Sequence, residues 1–263
     1  MSSSFRRTDI LALSGLRNDG RKHHEVRRLR IQLGPLAAEQ CNGSALVEMG
    51  LTVALASVRG PIECTRRSDE LPDKAVVDVL VKTAAFSTST DRRSTNPRTD
   101  RRLLEVSHLL RRAMEATIML KLFPRQKFEI VVVILADDGA RVPASINAST
   151  LALIEAGIPI KDLCCACNAG MGDGEPMVDL NRPEELAGSA SLLCATMPQR
   201  DALVLTQCEA RLTNYDALER LLESAMEGCR AICEQMQAAV QDRVITVLRE
   251  RNAKVHRAHF FGD

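Results

Sequence analysis

Charged and apolar residues alternate over residues 27–33, the period of a strand with one face on a core. Ser44-Ala45-Leu46-Val47-Glu48 and the run 51–58 read as two more strands around a turn at Met49-Gly50. Residues 76–83 predict another strand, and 87–100 a polar loop broken by Pro97. From Arg101 the period lengthens. Leu103, Leu104, Val106, Leu109, Leu110, Ala113, Met114 and Ile118 recur at three and four residues, which predicts an amphipathic helix ending near Lys121. Residues 128–135 form a continuous apolar run between Pro124 and Asp137-Asp138-Gly139, the pattern of a buried strand. The small-residue stretch 143–156, stopped by Gly157 and Pro159, predicts a helix, and 163–169 a strand. A strand pair follows at 189–194 and 203–206. A long last helix over 214–240 carries Leu218, Leu221, Leu222, Met226, Cys229, Ile232 and Met236 on its apolar positions.

This order of strands, helix, strand, helix, strands, helix implies an α/β fold of mixed sheets with packed helices, not a doubly wound nucleotide fold. No Gly-, Ser- or Pro-rich linker divides it, and no internal repeat is evident. Residues 15–240 therefore read as one domain, preceded by a loose leader (1–14) and followed by a charged tail or helix extension (241–263).

Composition narrows the chemistry. The chain has no Trp, one Tyr and six Phe, which argues against a surface that stacks nucleobases on aromatic rings. Contact with RNA would have to run through phosphates. The net charge of +1 hides unlike segments. Arg92, Arg93, Arg98, Arg101, Arg102, Arg111 and Arg112 cluster in one stretch, and Arg17, Arg21, Lys22, Arg27, Arg28 and Arg30 in another. These are local anion contacts or solvated faces. Of nine cysteines, Cys164, Cys165 and Cys167 sit in an apolar run, and Cys229 and Cys233 share a helix face. Without paired CxxC motifs or a histidine at ligand spacing, they read as reduced, buried thiols and not as zinc ligands. His108 has no Ser or Cys partner and reads as a partly buried structural histidine. No apolar run has membrane-spanning length, and the first residues lack a signal-peptide pattern, so no membrane partner is expected.

Arg141 follows the Asp138-Gly139 turn and directly precedes a predicted helix, where a bound phosphate would also meet N-terminal amides. Its planar fork suits bidentate phosphate binding, although an ordinary solvated loop arginine is the alternative.

Three stretches together resemble one family. Gly15-Leu16-Arg17-Asn18-Asp19-Gly20-Arg21 with Glu25-Val26-Arg27 opens the match. Gly43-Ser44-Ala45, Gly50-Leu51-Thr52-Val53 and Val58-Arg59-Gly60-Pro61 continue it. Leu135-Ala136-Asp137-Asp138-Gly139, Ile146-Asn147-Ala148-Ser149-Thr150-Leu151-Ala152-Leu153 and Ala156-Gly157-Ile158-Pro159-Ile160-Lys161-Asp162-Leu163 complete it. The pattern resembles the RNase PH-type subunits of the RNA exosome, and within them the subunit that carries the phosphorolytic site in archaeal rings. That resemblance implies the RNase PH fold and a heterohexameric ring with other RNase PH-type exosome subunits around an RNA channel. It also implies S1/KH-type cap subunits, a hydrolytic exoribonuclease partner, work on rRNA and mRNA, and residence in nucleus, nucleolus and cytoplasm.

Residue by residue, Arg141 matches the family's phosphate-binding Arg, while Ala140 stands where a hydroxyl residue is usual. The missing hydrogen bond would cost on the order of 1 kcal/mol. Arg102, in Arg101-Arg102-Leu103-Leu104-Glu105, matches a residue that contacts RNA or phosphate, with Arg101 beside it. The segment Val178-Asp179-Leu180-Asn181-Arg182-Pro183-Glu184-Glu185 aligns with a pattern whose first and last acids serve catalysis, here Asp179 and Glu185. Glu185 replaces Asp there, and a displacement of about 1 Å can cost roughly a hundredfold in rate. Arg66 and Arg67 fall in a loop that faces the channel entrance, or are simply solvated. The resulting expectation is a subunit that binds and threads RNA for 3′-to-5′ degradation without catalysis of its own, needing no cofactor. The alternative is a working phosphorolytic exoribonuclease, with inorganic phosphate on Arg141 and Arg102 and with magnesium, for which Asp179 is the candidate ligand.

Overall fold

The structure is a computed structural model that describes residues 16–36, 41–64, 70–87, 100–172, 174–187, 190–208 and 215–260, with side chains of the last helix described to residue 251. The leader 1–14 and most of the polar loop 87–100 lie outside these residues.

β1 (Leu29–Leu33), β2 (Gly43–Met49) and β3 (Thr52–Glu63) form an antiparallel meander. Met49 pairs with Thr52 across a two-residue turn in which Gly50 takes φ +61°, the conformation a tight hairpin turn requires. β4 (Val76–Thr83) leads through α1 (Arg101–Thr117) into β5 (Gln126–Ala136), which pairs parallel with β4 and antiparallel with β3. The first sheet thus runs β1-β2-β3-β5-β4. α2 (Arg141–Glu155) follows β5, and the second sheet is built from β6 (Cys165–Gly172), β7 (Glu175–Val178), β8 (Ser191–Met197) and β9 (Ala202–Cys208) in the order β7-β6-β8-β9. The short α3 (Arg182–Leu186) lies between β7 and β8, and α4 (Tyr215–Phe260) ends the chain.

α2 is the centre of the molecule. Every residue from Pro143 to Leu153 is buried, because the helix packs on β2 and β3 on one side and on β6 on the other. Its small residues allow that double approach. Gly43 illustrates the tightness: a Cβ there would lie 2.3 Å from the Ala156 backbone nitrogen. The one large polar group inside, Asn147, is satisfied by the β6 backbone. Its Nδ2 donates to the Ala166 carbonyl at 3.1 Å and its Oδ1 accepts from the Ala166 amide at 2.8 Å.

β5 buries Phe128, Ile130, Val132 and Ile134 completely, while Val131 and Val133 on the other face are half-buried. α1 buries Leu103, Val106, Leu110, Ala113 and Met114 but leaves Leu104 exposed. Asp100 caps it by accepting from the Arg102 amide at 3.0 Å, and the helix stops at Thr117, short of Lys121, where Ile118 bridges to Ile160. α4 buries Leu221, Cys229, Ile232 and Met236 against β6 and β8, then runs on past residue 240 to Phe260. The charged tail is therefore helical as far as Phe260, and Arg243 in it donates to Glu155 Oε1 at 2.7 Å. Cys164, Cys165, Cys167, Cys229 and Cys233 are all buried, and burial pushes the Cys164 thiol up to about 12. His108 is exposed on α1, because its face of the helix points away from β4. The expectation of a partly buried histidine is corrected. Among the described residues no helix is long and apolar enough to cross a membrane.

Candidate functional site

Where β5 ends, the chain must reverse into α2, and it does so through Asp137-Asp138-Gly139-Ala140. Gly139 takes φ +87° and Ala140 φ +52°, which swings the first turn of α2 outward beside α3. The α2 N-terminus, α1, α3 and the β6-β8-β9 face enclose a cleft of about 420 Å³. Its charged lining is Arg102, Arg141 and Arg182 against Glu105, Asp137 and Glu185, over an apolar floor that includes Val106, Leu109 and Leu193.

Arg141 is the first residue of α2 and Arg182 the first of α3. Each guanidinium stands 4.0 Å from Asp137 Oδ2, so one carboxylate holds two cations over the cleft. Ala140 has no side chain with which to cap α2. Glu185 supplies the missing acceptor from outside: its Oε1 accepts from the Ala140 amide at 2.8 Å and from Asn168 Nδ2 at 3.3 Å. An anion at a helix N-terminus is favoured by the amide and by the dipole together. In this protein the anion is its own.

The crowding of protein around its carboxylate raises the Glu185 pKa above the usual range, and Asp137 adds to that, whereas the Ala140 amide, Arg141 and Asn168 pull the other way. Glu185 therefore takes up a proton earlier than a free glutamate as pH falls, and the cleft then gains one positive charge. On acidification, retention of oligouridylate by the native chain should begin to rise at a pH above the ordinary glutamate range, and this step should be missing in Glu185→Gln. A native profile as flat as that of the variant would separate Glu185 from RNA binding.

Of the residues singled out in the sequence, Arg102, Arg141 and Glu185 come together here. Arg101 does not line the cleft. Its side chain is 92% exposed and, among the described residues, pairs with Glu105 across one helical turn, a contact of little energetic weight. Arg66 and Arg67 lie outside the described residues. Arg182 was overlooked, although a cation at a helix start is disfavoured unless an anion lies near, and that signal marks it as surely as Arg102. Asn168 and Gln207 carried no signal at all.

Asp179 is a correction. It is fully buried and does not reach the cleft. Arg27 Nη2 donates to its Oδ1 at 2.7 Å, and Arg27 Nε and the Arg27 amide donate to its Oδ2 at 3.0 and 2.9 Å. A carboxylate that is paired with a guanidinium, closed to water and away from the cleft has no open face toward a substrate proton or a metal ion. Asp179 does not fit a magnesium, and among the described residues no group of three or more His, Cys, Asp or Glu is placed to hold a metal. The reason is the φ of +56° at Asp179, which turns its side chain inward while the chain goes on to α3. Glu184, beside Glu185, is buried as well, and Arg17 forks onto both its oxygens.

The 3′ exoribonuclease family, domain 1, matches residues 25–159, and its domain 2 matches residues 162–228. The human exosome complex component RRP41 is 39% identical over 237 residues, covering 90% of this chain and 95% of the relative. The exosome complex component Rrp41 of Thermococcus kodakarensis is 38% identical over 238 residues, covering 90% and 93%. Among solved structures, rice (Oryza sativa) Rrp46 superposes with a TM-score of 0.73 at 25% identity, covering 85% of this chain and 99% of that one. An Archaeoglobus fulgidus exosome with RNA bound to the active site gives 0.72 at 22% identity, covering 84% and 93%, a likeness of fold.

Proposed function

Because the chain belongs to the 3′ exoribonuclease family of RNase PH type, in its exosome RRP41 branch, we propose that it is one subunit of an exosome ring that holds RNA for 3′-to-5′ degradation without cleaving it. Its neighbours in that ring are other RNase PH-type subunits, with S1/KH-type caps above and a separate hydrolytic nuclease doing the cutting.

RNA holding rests on the three cleft arginines, which can bind backbone phosphates without reading bases, as the shortage of aromatic residues requires. The absence of cleavage rests on one observation: the Glu185 carboxylate is bonded to the Ala140 amide. Phosphorolysis must bring two anions together, the RNA phosphodiester and the attacking phosphate. The arginines can seat the first. The natural seat for the second is the α2 N-terminus, and Glu185 fills it. With Asp179 locked on Arg27, only Glu185 of the two expected acids faces the cleft.

One feature favours the active reading instead. Glu185 faces three arginines with a raised pKa, the setting of a proton-transfer group. The two readings part on a single assay. In a ring assembled with its RNase PH-type neighbours and supplied with oligouridylate and inorganic phosphate, RNA should be retained and no uridine diphosphate released. Phosphate-dependent diphosphate release that disappears in Glu185→Gln would establish the enzyme and overturn this proposal.

A further inference from the structure

Two loops have to be held in register for Glu185 to reach the Ala140 amide: the β5–α2 turn, which carries Ala140, and the β7–α3 connection, which carries Glu185. A single side chain bonds to both. Arg27 grips the second through Asp179, with its Nη2 and Nε on the two carboxylate oxygens. It grips the first through Nη1 on the Asp138 carbonyl at 3.1 Å and Nη2 on the Gly139 carbonyl at 3.4 Å. The two non-glycine residues with positive φ in these loops, Ala140 and Asp179, lie immediately beside those attachment points. Conformations of that kind persist only where the surroundings impose them. Thr52 backs the turn from below, its Oγ1 donating to the Gly139 carbonyl at 2.6 Å and accepting from the Asp138 amide at 3.1 Å and from Arg27 Nη1 at 3.4 Å. Arg182 links the same two loops from the α3 side: its amide donates to the Asp138 carbonyl at 3.0 Å and its Nη1 to the Asp137 carbonyl at 3.5 Å.

We propose that Arg27 is a positioning residue for the cleft: by bolting the β5–α2 turn to the β7–α3 connection it keeps Glu185 on the Ala140 amide, and so excludes external phosphate from the α2 N-terminus. The proposal rests on the reading of that helix end as an anion seat. Lysine at position 27 keeps the charge that Asp179 needs but has no planar fork with which to span five acceptors. Arg27→Lys therefore loosens the register without removing the cation.

The test is a mutant cycle on the full-length chain, with inorganic phosphate affinity measured by calorimetry and folding followed by thermal melting. Glu185→Ala should tighten phosphate binding about tenfold, because it vacates the seat. Arg27→Lys should also tighten it, by several-fold. Combined, the two should bind no more than about twofold tighter than Glu185→Ala alone, since interacting sites do not add. A merely structural Arg27 would lower the melting temperature and leave phosphate affinity where it was. That outcome, or an Arg27→Lys effect that persists in full beside Glu185→Ala, overturns the proposal alone. Failure of Glu185→Ala to tighten phosphate binding overturns both the proposal and the anion-seat reading beneath it. If Arg27→Lys does not fold, Thr52→Val loosens the same turn from its other support and must show the same non-additivity with Glu185→Ala, or the proposal falls.

Discussion

Replacing Arg17 by methionine should cost about 3–5 kcal/mol of folding free energy, the loss typical of removing one partner from a buried ion pair. Arg17 is 1% exposed and Glu184 2%, so neither charge can turn to water for compensation. The arginine donates from Nε to Glu184 Oε1 at 2.9 Å, from Nη2 to Glu184 Oε2 and to the Asp179 carbonyl, and from Nη1 to the Val178 carbonyl. Methionine fills much of the same volume and removes every one of these bonds. It takes the cation away from a buried carboxylate that keeps the Asn181 amide, which donates at 2.8 Å. Urea denaturation should show the loss as an earlier midpoint, and thermal melting should fall by on the order of 10 °C. Adding Glu184→Met should recover part of it, because an apolar pair removes the buried carboxylate that has lost its cation. Recovery cannot be complete, since the carbonyls of Val178 and Asp179 remain without this donor. A single-mutant loss below about 1 kcal/mol would mean that water reaches the pair and that its burial has no energetic consequence.

That pair also marks where sequence reading stops. The strand and helix periods located β4 to the residue, the β2–β3 hairpin with its turn one residue early and β3 five residues short, and α1, β5, α2 and α4 to within a few residues at their starts, because one-sided burial leaves its period in the chain. β7 and α3 were missed. Each is only four or five residues long, too short to show a period, and their polar sequence looked like a loop. Within the site, Arg141 was legible because it precedes a helix with a clear period, whereas Arg102 and Glu185 were legible only through the family resemblance of their segments. The role of Asp179 was not. Whether an acid in such a loop faces a cleft or a buried guanidinium depends on Arg27, 152 positions away, and Arg17 meets Glu184 across 167. Residue type argues against burying any of the four. The N-terminal arginines looked like a basic surface patch, yet Arg17 and Arg27 are among the most enclosed polar side chains described. What the segment 16–28 contributes is internal: it fixes β7 and α3, and through them the carboxylate that stands on α2.

Gly139→Ala should be nearly as damaging, and its damage should reach the cleft. Position 139 has φ +87°, where a Cβ is strained in any surroundings. The surroundings are closed as well: that Cβ would lie 2.6 Å from the Arg182 nitrogen, 2.8 Å from the Asn181 carbonyl carbon and 2.9 Å from the Leu180 oxygen. All three are backbone atoms at the start of α3, so no side chain can rotate to make room. The strain of φ and the forced shift together should cost about 2–4 kcal/mol. Gly157→Ala separates the two contributions. Gly157 takes φ +70° just past the end of α2 but has nothing within 4 Å of a Cβ, so only the conformational part, about 1 kcal/mol, should appear there. The functional consequence follows from what α3 carries. Pushing its first turn away from the β5–α2 turn breaks the Arg182 amide bond to Asp138 and draws Glu185 off Ala140. Gly139→Ala, assayed under conditions where it remains folded, should lose the rise in RNA retention on acidification, because that rise needs Glu185 in place, while Gly157→Ala keeps it. An acid-dependent profile unchanged in Gly139→Ala would show that the cleft tolerates movement of α3, and that the close packing at Gly139 serves stability alone.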